Sequence, residues 1–143
     1  MTKLKLKAES VEDLAVLSSV LQDAILRVGE IKYSFKSRYL SLRMSRFSHE
    51  KEKNERILCG LRIDGVTGLK SKNLERNNAE ALAVLLSIEY CEDTAPPGGQ
   101  LRIVLAGGGE ICAEVECLDV ILADVAAARQ TSKIPYHPLD SDG

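Results

Sequence analysis

Residues 31–47 read "IKYSFKSRYLSLRMSRF". Apolar side chains recur at every second position on both sides of a short basic break. Ile31, Tyr33 and Phe35 precede it, and Leu40, Leu42 and Met44 follow it. A period of two marks a strand with one buried face. Two such runs joined by "KSR" (36–38) predict an antiparallel hairpin, because so short a link cannot carry a parallel crossover. This hairpin sets the fold class, and the rest of the chain is read outward from it.

Downstream, "HEKEKNER" (49–56) reads as a charged, solvated loop, and alternation resumes through Ile57, Cys59, Leu61 and Ile63. Gly65 and Gly68 suggest a bend or bulge near the end of that strand. In "NLERNNAEALAVLLSIEYCE" (73–92), Asn78 is placed to cap a short helix that yields to a strand near Val84–Cys91. "TAPPGGQ" (94–100) reads as a loop from its proline and glycine content. "QLRIVLA" and "EICAEVE" then read as strands on either side of Gly107–Gly109. A phosphate-binding loop needs a helix after its glycines, and no GK[ST] or GxGxxG pattern is present. The three glycines are therefore expected to form a hairpin turn.

Upstream, "KLKLK" (3–7) alternates and predicts a short strand with Leu4 and Leu6 inward. Ser10 with Asp13 three residues on approximates a capping box. Leu14, Leu17, Leu21, Ile25 and Val28 form an apolar stripe, and Gly29 could close it as a C-cap. These features predict a helix over 11–28. A second helix is expected from Cys117 to about Arg129, with Leu118, Ile121, Leu122 and Val125 as its stripe. "EDLAVLSSV" (12–20) and "EALAVLLSI" (80–88) echo each other, as a duplicated βαββ unit would. The expected architecture is α+β: a mostly antiparallel curved sheet or partly open barrel with an N-terminal and a C-terminal helix. A pleckstrin-homology-like roll plugged by the second helix fits that plan. A two-layer sandwich with both helices on one face is the alternative.

The 143 residues suit one domain over 1–130, with a loose tail over 131–143. Hydrophobic residues make up 45% of the chain, enough for a sizeable core. No apolar run approaches the roughly 20 residues that cross a bilayer, and "MTKLKLKAES" lacks the apolar stretch of a secretion signal. Cys59, Cys91, Cys112 and Cys117 show no CxxC spacing. A cytoplasmic protein with reduced thiols and no membrane partner is expected.

Charge is unevenly distributed. Residues 27–76 carry thirteen Lys and Arg against six Asp and Glu; residues 77–143 carry three against eleven. Such asymmetry either marks an interaction surface or places the two halves against each other. Lys36, Arg38, Arg43 and Arg46, on and after the hairpin tip, are the candidates for phosphate or nucleic-acid binding. Period two puts Arg43 and Arg46 on opposite faces, and a pI of 5.7 argues against non-specific nucleic-acid binding. Cys112, Glu114 and Glu116 share one strand face and are the candidates for a small-molecule site or a small enzyme. The same carboxylates also suit the wet face of a half-exposed strand. His49 and His137 are isolated, so no metal site and no cofactor is expected. Lacking a catalytic constellation, the chain reads first as a non-enzymatic binding or adaptor module, acting through a protein partner or a second copy of itself.

Three blocks in order, "LKLKAESVEDLAVLSSVLQDAILRVGEI", "MSRF" and "LAGGGEICAEVECLDVILADV", resemble an uncharacterised alphaproteobacterial domain-of-unknown-function family, DUF2948. The resemblance extends to about His137. It implies a bacterial cytosolic protein and assigns no activity to any residue.

Overall fold

A computed structural model describes residues 3–48, 55–93, 97–125 and 129–130. The hairpin is present. β2 (Ile25–Ser34) and β3 (Tyr39–Phe47) pair antiparallel, with Tyr33 opposite Leu40 and Ser34 opposite Tyr39. β4 (Glu55–Asp64) continues from β3, and Gly65, at φ +73°, turns the chain into β5 (Val66–Lys72). The left-handed backbone there suits glycine, which has no Cβ to clash.

The other strands are β1 (Lys5–Ala8), β6 (Leu82–Glu92), β7 (Gly99–Leu105), β8 (Glu110–Val115), β9 (Val120–Asp124) and β10 (Arg129–Gln130). They run in the order β1-β9-β4-β3-β2-β6-β7-β8-β5, with β10 also on β4. Every pairing is antiparallel. β6 joins two layers. Leu82–Val84 pair with β2, and beyond a bulge between Leu85 and Ser87 the strand pairs with β7. The sheet curls around one core, in which Leu40, Met44 and Ile63 of the first layer share a cluster with Leu101, Ile103 and Ile111 of the second. It stays open, because β5 at one end and β1 at the other do not pair.

A single α-helix is present among the described residues. α1 (Val11–Val20) is capped by Ser10, whose side chain accepts from the Asp13 amide, and it buries Leu14 and Leu17 against the core. It is shorter than the predicted 11–28. Asp23 takes a left-handed φ of +69°, which breaks the helix. Asp23 N donates to Leu85 O and Leu85 N to Ala24 O, so the next residues begin a strand beside β6. Gly29 is no cap. It lies within β2, donating to Ala79 O at 2.8 Å, and a Cβ there would stand 2.9 Å from that oxygen.

The predicted C-terminal helix is also corrected. Residues 120–124 form β9, held between β1 and β4. Leu118, Val120, Leu122 and Asp124 are the buried positions, a period of two that the acidic residue disguised. The plugged roll and the two-helix sandwich both required that helix. The Asn78 helix is a turn, in which Asn78 Oδ1 accepts from Glu80 N. "EALAVLLSI" lies almost wholly in β6, so its echo of α1 is not a structural repeat. Glu55 and Arg56 of the expected charged loop belong to β4; residues 49–54 and the tail 131–143 lie outside the described residues. The glycine turn is as expected: Gly107 and Gly108 adopt φ of +83° and +88°, and Leu105 N donates to Gly109 O at 2.9 Å.

Candidate functional site

Alternation decides which side chains leave the core. In β3 it buries Leu40, Leu42 and Met44 and turns Tyr39, Ser41 and Arg43 outward. In β4 it buries Ile57, Cys59, Leu61 and Ile63 and turns Leu58, Gly60 and Arg62 outward. In β1 Leu6 and Ala8 face the core while Lys5 and Lys7 are exposed.

Register then aligns these outward positions. One row runs Lys7, Ile121, Arg62, Ser41, Lys32 across β1, β9, β4, β3 and β2. The neighbouring row runs Lys5, Ala123, Gly60, Arg43. With strands about 4.8 Å apart and rows roughly 6–7 Å apart, five cations share a face roughly 20 Å wide. Small or apolar residues floor it between them.

Lys5, Lys32 and Arg43 have no ion-pair partner among the described residues. Lys7 meets Glu9 at 3.2 Å with both side chains largely exposed. Arg62 meets Asp64 at 3.0 Å and stacks over the Tyr39 ring at 4.1 Å. At the opposite end Arg56 stacks over Phe47 at 4.6 Å and donates to Ser45 O at 2.8 Å. Partial burial lowers its pKa, and the nearby Asp23 charge partly offsets that. The carboxylates Asp64, Glu9 and Asp23 stand at the edges of the face, so exposed ion pairs there hold the central cations only weakly.

The four basic residues singled out from sequence do not form one patch. Lys36 is exposed at the hairpin tip. Arg38 is held by Glu116 at 2.7 Å. Arg43 joins the outer face just described. Arg46 points the other way, into the core, with 3% side-chain exposure. Its Nε and Nη2 donate to the two oxygens of Asp124 at 3.1 and 3.0 Å, and Nη1 donates to Phe47 O. Asp124 also accepts from Leu4 N at 2.7 Å.

Cys112 and Glu114 lie on the outer face of the second layer, where a row runs Lys70, Cys112, Arg102, Glu89. Arg102 bridges Glu89 at 2.7 Å and Glu110 at 3.5 Å. Partial burial, then the Glu110 and Glu114 charges, push the Cys112 thiol up, against the smaller opposing pull of Lys70 and Arg102. A thiol raised in this way is protonated at neutral pH and is a poor nucleophile. Glu116 lies past the end of β8 and turns to Arg38 rather than standing beside Glu114. Among the described residues no three His, Cys, Asp or Glu side chains gather as a metal site requires; His49 and His137 lie outside them.

Sequence reasoning missed the contributions of Lys5, Lys7, Lys32 and Arg62. The signal was available in part: "KLKLK" puts its lysines opposite its leucines, but nothing local says that β1 lies two strands from β4.

The described residues form an open, antiparallel sheet with one α-helix, which makes the fold broadly α+β. The chain belongs to the family described as protein of unknown function (DUF2948), whose sequence profile matches residues 4–137. No curated protein and no solved structure matches it. Among the described residues no helix is long and apolar enough to cross a membrane.

Proposed function

We propose that this protein is a non-enzymatic binding module that works through the outer face of its first layer, and that the partner is a single-stranded nucleic acid. One observation carries the reading: register gathers Lys5, Lys7, Lys32, Arg43 and Arg62 on one face, three of them with no ion-pair partner among the described residues. The rows stand roughly 6–7 Å apart, comparable to the step between phosphates of an extended strand. The floor of Gly60, Ala123, Ile121 and Ser41 leaves room for bases between the cations. A pI of 5.7 describes the whole chain; this face has a local excess of positive charge that the total conceals.

The test is fluorescence anisotropy of a labelled oligodeoxythymidine titrated at several salt concentrations. Five phosphate contacts predict a slope of log K on log salt of about −3.5. Lys5→Glu with Arg43→Glu is expected to lower both affinity and slope, whereas Lys72→Glu on the other layer leaves them unchanged. Absence of salt-dependent binding would rule out the nucleic-acid partner. The same face would then be assigned to an acidic protein surface, the adaptor reading in which a protein partner replaces the strand.

A further inference from the structure

Among the described residues β2 and β5 do not pair with each other, and a cavity is lined by residues of both. Among the described residues β5 pairs with β8 and with no other strand. β2 bulges between Leu26 and Ile31, where its register on β3 shifts. Val66 N donates to Arg38 O at 3.0 Å and ties the start of β5 to the β2–β3 turn. Beyond that tie the two strands separate and enclose about 310 Å³, floored by Val28, Ile31, Tyr33, Leu69, Leu74 and Ile111.

The other lining residues are polar or charged. Ser71 and Lys70 border it on β5, and Arg76 borders it from the strap of residues 73–81 that leads to β6. Arg76 is exposed and has no ion-pair partner among the described residues. A second cavity along the strap shares Leu74 and Arg76, so Arg76 borders both spaces. The strap is anchored rather than loose. Asn73 Nδ2 donates to Gly108 O at 3.1 Å, which couples it to the glycine turn, and Leu74 packs against the core.

We propose that this seam binds a small amphipathic monoanion, a medium-chain carboxylate, with its hydrocarbon between β2 and β5 and its carboxylate at Arg76. An apolar slot with a few polar groups at one end is the usual form of a small-molecule site. Its volume holds roughly ten groups of about 30 Å³ each, the size of a water or a methylene, which suits a chain of that length. A free guanidinium bordering the slot selects a planar, singly charged head group, which it can engage by two parallel hydrogen bonds. This site is separate from the basic outer face, since Ile31 and Tyr33 point to the opposite side of β2 from Lys32.

The experiment is an amide-shift titration of the ¹⁵N-labelled full chain with decanoate and, separately, with decanol. Decanoate is expected to give saturable shifts at Val28, Ile31, Leu69, Leu74 and Ile111. Arg76→Gln, an exposed position, is expected to weaken decanoate by about tenfold or more, the loss of one charge-assisted pair, and to leave decanol unchanged. No saturable shift at those residues would overturn the proposal. So would decanol binding as tightly as decanoate, or decanoate binding that Arg76→Gln does not affect. The amide spectrum of the variant itself reports whether it is folded.

Discussion

A buried guanidinium is tolerated when each of its nitrogens donates to an acceptor. Arg46 meets that condition. It forms a two-point pair with Asp124, a bond to Phe47 O, and an indirect link through Asp124 to the Leu4 amide. The pair therefore ties β3, β9 and the N-terminal strand together inside the protein. Removing one partner leaves the other charge buried, so Asp124→Leu is expected to destabilise by about 3–5 kcal/mol. Arg46→Met with Asp124→Leu is expected to recover most of that loss, because no unpaired charge remains. Urea titrations of the three variants check both values; a double variant as weak as the single one would contradict the account. Cys59 lies in the same region, and burial pushes its thiol from 9.0 up to about 12. Above pH 9 the unfolded thiol loses its proton while the folded one keeps it, so stability falls between pH 9 and about 12. Cys59→Ala is expected to lack that component, read as the difference between the two pH–stability curves. The sequence pattern already put Arg46 on the opposite face from Arg43, without saying that this face is the core. Its partner could not be read, because Asp124 lies 78 positions away in a stretch whose stripe also fitted a helix.

Two similar nonamers show how elements are decided. "EDLAVLSSV" is helical and "EALAVLLSI" is almost entirely strand. The first has a Ser10 cap and one covered side, with Leu14 and Leu17 inward. The second follows the Asn78 turn and has strands on both edges, β2 on one and β7 on the other. A strand paired on both edges exchanges hydrogen bonds with two neighbours, and this tertiary gain outweighs local helix preference. The same competition explains β9, which lies between β1 and β4. Helix limits and the strands whose sequence also fits a helix, β9 and the start of β6, were therefore the least legible parts, whereas the hairpin, the β4 alternation and the glycine turn were read correctly from local pattern. Two substitutions probe the element boundaries. Ser10→Ala removes the cap and is expected to cost about 1 kcal/mol. Gly29→Ala forces a Cβ against Ala79 O and is expected to cost about 1–3 kcal/mol. If Gly29→Ala instead stabilised the chain, as removing a helix-breaking glycine would, the strand assignment there would be contradicted.

For the molecule as a whole, the uneven charge of the chain becomes two faces. The outer face of the first layer collects the lysines of β1 with Lys32, Arg43 and Arg62, and that of the second mixes Glu89, Glu110 and Glu114 with Arg102 and Lys70. The basic and acidic segments meet in the pairs Arg27–Glu80, Arg38–Glu116 and Arg46–Asp124, and none of these pairs involves Lys32, Arg43 or Arg62. Charge counting found the imbalance, and only the strand order could show which cations stand together. The seam between β2 and β5 had no sequence signal at all, since it arises from two strands that do not pair with each other. The central claim concerns the basic face, and the most direct measurement is an amide-shift map of the ¹⁵N-labelled protein titrated with an oligodeoxythymidine. The account predicts saturable shifts at Lys5, Lys7, Arg43, Gly60, Arg62 and Ala123, diminishing as salt is raised. Shifts confined to Arg102, Cys112 and Glu114, or no saturable shift at low salt, would contradict it.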